Sequence, residues 1–343
     1  MKLCNREDKR VLKERIAQSN EKRSTISFYK YAQIGNPQLF RDYLYIHFDE
    51  IGVLGRIYVA NEGINAQISV PEEKMEAFKE ALETVVFLRN IRLNTAVENK
   101  DTSFYKLVVK NRAKILADGL EDETFDVSNK GLHLKAEEFN EMMQKENTIL
   151  IDMRNHYETE VGHFKGAITP DVDNFRESLP FIEDKILKGN EDKNILMYCT
   201  GGIRCEKASA WYKHRGFKNV YQLEGGIIKY AHEISEKKLP NLFVGKNFVF
   251  DERLEETISP EVIANCHTCG NPFDIHTNCA NVACNVLFIQ CDSCKEKLHN
   301  CCSEECKEIA ALPEEVQKEL RKGRKSQRNV FKKGRSEKLL FKK

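Results

Sequence analysis

The chain has 343 residues, 41% of them hydrophobic, with 54 Lys and Arg against 53 Asp and Glu for a formal net charge of +1. That is enough for two or three domains with ordinary apolar cores. The first stretch, MKLCNREDKRVLKER, is charged throughout and no apolar run approaches a spanning helix, which excludes membrane and secreted classes; the twelve cysteines then read as thiols and metal ligands of a cytoplasmic protein.

Residues 1–26 read as a charged, helical amino-terminal segment. From 27 to 112, RDYLYIHF, RIYVANEGINAQISV and SFYKLVVK read as strands by alternation and β-branched or aromatic content. PEEKMEAFKEALETV, Pro71 to Val85, has the proline start and apolar spacing of a helix. Strands with intervening helices predict a ferredoxin-like, acylphosphatase-like α+β domain. Asn61, Glu62, Gly63 and Asn65 form a tight polar turn, read as a plain hairpin turn in preference to a substrate contact. Residues 113–130, acidic and poor in apolar side chains, read as a linker.

Residues 131–250 predict an α/β domain on a parallel sheet. ILIDMR and KNILMY are buried strands, and Cys199 stands where the second one ends. Two glycines follow, then a helix from Cys205 to Gly216, so the unit is strand, tight loop, helix. In that geometry the amides of Thr200, Gly201, Gly202, Ile203 and Arg204, with the helix amino end, favour an anion on the Cys199 sulfur. The alternative is a buried structural cysteine, disfavoured by the glycine pair and Arg204. Asp152 and Arg154 emerge at the same carboxyl edge as Cys199, where they either order its loop or pair with each other or with Glu158. His163 reads as a loop residue, not a general base, and Cys205 as packing at the helix start rather than as a resolving thiol.

Arg204 gives the spacing Cys-x4-Arg, one residue shorter than a phosphate-cradling Cys-x5-Arg, and suited to a terminal sulfur. Together with IDMRNHYETEVGHFKGAI and VYQLEGGI, this segment resembles the rhodanese family.

Residues 251–312 read as a cysteine-rich zinc module, with a free-thiol or disulfide cluster as the alternative. Cys266 and Cys269, Cys279 and Cys284, Cys291 and Cys294, and Cys302 (or Cys301) with Cys306 make four pairs within 41 residues, enough for two tetrahedral thiolate sites. The even spacing permits a cross-brace joining pairs one and three and pairs two and four; sequential pairing stays open, and His267, His276 and His299 are possible substitutes. Four sulfur ligands leave no position for water, so the zinc reads as structural. Residues 313–343 form a basic tail. From Arg321 onward it holds 11 Lys and Arg against one Glu, or +10, leaving −9 for the rest. It reads as an RNA-binding arm in which Phe331 and Phe341 stack on bases, or as a solubilising tail.

The whole layout from about Ser27 to Cys306, with ANEGIN, CTGGIRC and CHTCGNPFDIHTNCANVAC in that order, resembles the oxygen-dependent tRNA uridine hydroxylases. The resemblance implies conversion of the wobble uridine to 5-hydroxyuridine with molecular oxygen as cosubstrate, with the tRNA anticodon loop as partner and Cys199 as the residue required. No His and carboxylate set for iron is evident, nor a flavin or nicotinamide fingerprint. A persulfide-carrying sulfurtransferase is the alternative, and a non-enzymatic RNA-binding protein the third reading.

Overall fold

A computed structural model describes residues 3–121, 124–322 and 333–341. After helix α1 (Lys9–Gln18), strand β1 (Arg23–Tyr31) leads through α2 (Pro37–Ile51) to the hairpin β2 (Leu54–Ala60) and β3 (Gly63–Pro71). Helix α3 (Met75–Glu83) then precedes the short β4 (Asn94–Thr95) and β5 (Leu107–Asn111). The sheet order is β4-β1-β3-β2-β5. The first four strands pair antiparallel in ferredoxin-like order, and β5 joins the edge parallel to β2. Alternation splits the sheet: Ile26, Phe28, Ile57, Val59, Ile64 and Ile68 enter one core with α2 and α3.

Two expectations here are corrected. RDYLYIHF is not a strand but lies within α2: Asn36 caps the helix by accepting from the Leu39 amide, Pro37 opens it, and Gly52 closes it at φ 84°. Those caps decide against the local alternation, and Leu44, Tyr45 and Phe48 form the buried helical stripe. The central strand β1, which the sequence patterning did not reveal, starts at Arg23, ahead of the boundary at 27.

The segment read as a linker is packed. Ile115, Asp118 and Phe125 are buried, Asp118 sits 3.4 Å from the Lys207 ammonium, and the Phe125 ring meets Trp211 edge-on at 5.5 Å. Lys207 is fully buried and also meets Glu62 at 2.6 Å, while the other Glu62 oxygen accepts from the Ile115 amide. The ANEGINA turn therefore fastens the first domain to the next, a role read from neither its polarity nor its glycine.

The second sheet is parallel in the order β6-β10-β9-β7, built from β6 (Leu132–Leu134), β7 (Thr148–Asp152), β9 (Asn194–Tyr198) and β10 (Val220–Leu223). Helices α4 (Ala136–Met143), α5 (His156–Thr159), α6 (Phe175–Ile182), α7 (Ile203–His214) and α8 (Gly226–Lys237) surround it, and separate apolar cores cover its two faces. A three-stranded sheet of β8 (Gly162–Phe164), β11 (Phe243–Phe248) and β12 (Glu255–Thr257) ties this domain to the cysteine-rich region. That region holds the hairpin β13 (His276–Asn278) and β14 (Leu287–Ile289), then α9 (Asp292–Leu298) and α10 (Glu304–Ala311), and α11 (Glu314–Arg321) follows. No helix among the described residues is long and apolar enough to cross a membrane.

Candidate active site and cysteine clusters

Strand β9 leads directly into the buried Cys199, and the chain turns sharply into α7, which begins at Ile203, two residues before the expected start. Gly202 makes that turn at φ 102° and directs its amide to the Cys199 sulfur at 3.1 Å. Gly226, at φ 67°, lets α8 close on the same loop: a Cβ there would lie 2.5 Å from the Cys199 carbonyl oxygen. The Ile227 and Ile228 amides donate to the Cys199 and Thr200 carbonyls, which is what VYQLEGGI supplies.

Burial alone would push the Cys199 thiol up. Contact with Cys205, the Arg204 charge and the Cys205 and Gly202 amides outweigh it and bring the sulfur down to about 6, so it is largely thiolate at neutral pH. Burial, with a hydrogen bond to the Cys199 sulfur, pushes Cys205 the other way, which makes it the donor of the pair. Arg204 is itself held by Glu158 through two bonds of 2.7 Å, both side chains being buried. Glu158 completes the loop's electrostatics, and nothing in the spacing along the chain pointed to its pairing with Arg204.

Asp152 and Arg154 do not touch the loop with their side chains. They pair with each other at 2.6 to 3.1 Å, and Arg154 also donates to the Gly162 carbonyl, so they brace β7 against β8. His163 bonds the Phe164 carbonyl and is not among the residues lining the cavity at Cys199.

Cys199 is among the residues lining a cavity of about 370 Å³ between the loop and the open face of the first sheet. Cys199, Thr200, Gly201, Ile203 and Arg204 line one wall; Ser27, Tyr29, Arg56, Tyr58, Asn65 and Gln67 line the other. The sheet also grips the loop: Asn94 donates to the Gly201 carbonyl at 3.3 Å, Tyr31 to that of Ile203 at 3.5 Å, and Tyr29 packs on Gly202. Sequence reasoning missed this wall. The alternation of Ser27, Tyr29 and Tyr31 with Ile26 and Phe28 was its signal.

Eight cysteines gather into two sets of four, Cys266, Cys269, Cys291 and Cys294, and Cys279, Cys284, Cys302 and Cys306, each with all sulfurs within 4.8 Å of one another. Pairs one and three, and two and four, therefore come together. Sulfur separations of 3.7 Å match the roughly 3.8 Å edge of a tetrahedron with metal–sulfur bonds of about 2.3 Å. Backbone amides of Cys291 and Cys302 and the Asn281 side chain donate to cluster sulfurs, as a thiolate set requires. Cys301 stays outside, and so do the histidines: His267 pairs with Glu160, His276 with Glu255, and His299 occupies a left-handed turn at φ 50°.

Phe331 lies outside the described residues. Residues 333–341 are not a free arm but pack along the molecule: Leu339 joins the core of the second cluster, Gly334 donates to the Leu287 carbonyl, and the Phe341 amide donates to that of His267. Lys333 sits 3.6 Å over the Tyr157 ring, beside Glu158, and burial brings its ammonium down to about 8.

Three family profiles tile the chain: an acylphosphatase-like domain of the UPF0176 group over residues 23–115, a rhodanese-like domain over 135–233, and a rhodanese carboxyl-terminal region over 244–307. The tRNA uridine(34) hydroxylase of Leptospira interrogans is 52% identical over 327 residues, 95% of this chain and 89% of its own. That of Photorhabdus laumondii is 53% identical over 334 residues, 97% and 95%. Among solved structures, a rhodanese-like domain from Anabaena sp. covers 33% of this chain and 78% of its own, at 16% identity and a TM-score of 0.27. With more than half of the aligned residues identical along nearly its full length, the chain belongs to the tRNA uridine(34) hydroxylase family.

Proposed function

We propose that this chain hydroxylates the wobble uridine of tRNA at C5 and that Cys199 is the catalytic nucleophile. The observation that supports this most directly is Cys199, its sulfur accepting from the Gly202 amide, on the wall of a nucleoside-sized cavity rather than on a flat surface. The uracil enters against the sheet wall with C6 over the sulfur. The thiolate pair forms the bond to C6 as the C5–C6 π bond breaks, and that π pair moves to C5, which becomes nucleophilic toward molecular oxygen. The resulting C5 hydroperoxide is reduced by two electrons and two protons from a thiol-class reductant, leaving a C5 hydroxyl and water. Loss of the C5 proton and departure of the thiolate restore the ring. Arg204, fixed by Glu158, and the Gly202 amide hold the sulfur anionic at the start and receive it at the end.

The residues of the two cysteine sets fit zinc, whose thiolate sites of this form hold a fold together and leave no open coordination position. Cytoplasmic tRNA, offered through its anticodon loop, is the partner this reading requires.

The test is nucleoside mass spectrometry on tRNA from cells lacking the gene and from the same cells carrying wild type or Cys199→Ala. Wild type restores 5-hydroxyuridine and the variant does not, and heavy-isotope dioxygen adds its mass to the nucleoside. An unchanged wobble profile without the gene, with no second pathway active, overturns the reading; thiolated nucleosides in its place favour sulfur transfer.

A further inference from the structure

We infer that the open face of the amino-terminal sheet is a platform for single-stranded RNA, which holds the nucleotides flanking the target while the target base occupies the cavity over Cys199. This rests on the hydroxylase reading for the identity of that base, and on the chemistry of the sheet for the platform.

Strand register places two rows on this face. Asn94, Ser27, Gln67 and Arg56 form one, each the cross-strand partner of the next, and Tyr29, Asn65, Tyr58 and Lys110 form the other. The opposite face is buried under α2 and α3, so side chains of these rows have no helix of their own domain to pack on. The Tyr29 end and Asn94 are covered by the Cys199 loop, buried Asn65 donates to the Ile115 carbonyl, and the rows then line the cavity and run outward to exposed Arg56 and Lys110. Tyr58 is partly exposed, with the Arg112 guanidinium 5.8 Å from its ring centre. Arg56, Lys110 and Arg112 form no ion pair among the described residues, whereas Arg23, Arg41, Arg154, Arg204 and Arg253 are all paired.

An aromatic ring ringed by unpaired cations, on a sheet whose other side chains are amides and hydroxyls, matches a splayed nucleic-acid strand: bases stack on the ring and guanidinium while phosphates meet the charges. Amides and hydroxyls suit base edges, as an apolar partner's docking face does not. A duplex offers no unstacked base to such a ring. The platform is also continuous with the cavity, so a strand lying on it delivers its next base to the sulfur.

The test measures binding of a hairpin RNA carrying an anticodon-type loop, with a fully paired duplex of the same length as comparison, by fluorescence anisotropy on the full-length protein. Tyr58→Ala weakens hairpin binding by roughly 5- to 100-fold, Tyr58→Phe retains it, and duplex binding is little changed by either. The combined Arg56→Gln, Lys110→Gln and Arg112→Gln variant lowers the salt slope of hairpin binding by roughly 0.7 for each phosphate it no longer neutralises. All four positions are at least partly exposed, so thermal unfolding stays at the wild-type temperature. Wild-type affinity and slope in both the Tyr58→Ala and the triple variant overturn the platform, and assign this face to another occupant such as a second copy of the chain. Binding is read without turnover. Weakened variants of a wild type that forms no 5-hydroxyuridine therefore uphold the platform and overturn the reaction, while unchanged binding in an active wild type overturns the platform alone.

Discussion

The loop at Cys199 and the cysteine-rich region use the same side chain, and they differ in what surrounds the sulfur. Cys199 is one thiol among a backbone amide, a guanidinium and a neighbouring thiol that stays protonated, and it lines a cavity. In the two clusters each sulfur has three other sulfurs as neighbours. Groups that stabilise an anion without forming a bond to it keep the sulfur nucleophilic; a closed tetrahedron of thiolates around a metal uses that same electron pair for structure. On the proposed mechanism, reactivity follows from isolation of the thiolate, not from the number of cysteines.

The sharpest way to break this contrast is to remove one sulfur from each region. Cys199→Ala should reduce turnover by roughly a thousandfold or more, as loss of a covalent nucleophile does, while bound metal and thermal stability stay unchanged. Cys284→Ala should do the reverse: metal analysis should find about one zinc fewer per chain, and the region around Val286 and Phe288 should unfold. Equal metal loss in both variants would erase the distinction.

A second effect concerns charge. Alkylation of Cys199 should follow a titration near pH 6, where its thiol is held. Glu158→Gln frees the Arg204 guanidinium from its bidentate partner and disturbs the loop, so the titration should move, a change visible in the pH profile of the alkylation rate. Stability carries the same signature. The folded sulfur ionises below the ordinary thiol range, so its contribution is present above that range and is lost as pH falls through about 6. Between these limits wild type should gain stability with rising pH, and Cys199→Ser should not.

Smaller effects test how the outer parts serve the two regions. Leu339→Ala, in the core of the second cluster, should cost about 2–4 kcal/mol by denaturant unfolding, since a buried Leu loses both transfer energy and packing. Deletion after Leu320 should include that destabilisation and also lower the salt slope of tRNA binding by roughly 0.7 per phosphate released. Glu62→Gln should cost about 2 kcal/mol by weakening a buried charged hydrogen bond to Lys207, which also meets Asp118.

Local order was legible wherever a feature depends on residues close in sequence. The strand, glycine turn and helix around Cys199 follow from KNILMYCTGGIRCEK, because a tight turn needs glycine at positive φ and the sulfur's amide partner is three residues away. The pairs of cysteines follow from spacing for the same reason. RDYLYIHF misled because its apolar alternation spoke louder than Asn36, Pro37 and Gly52, the caps that decide a helix.

What the sequence by itself determined is the strand, glycine turn and helix that carry Cys199, seven of the eight clustered sulfurs, with Cys301 or Cys302 left open for the eighth, and the order of the domains, since each is a property of short segments. Only the tertiary structure decided which pairs of cysteines share a site, that Glu158 rather than Asp152 holds the loop arginine, and that the open sheet face forms the second wall of the cavity. These are contacts between segments far apart in the chain. Which partners meet is set by how sheets and helices pack their apolar faces, and side-chain spacing along one segment carries no record of that.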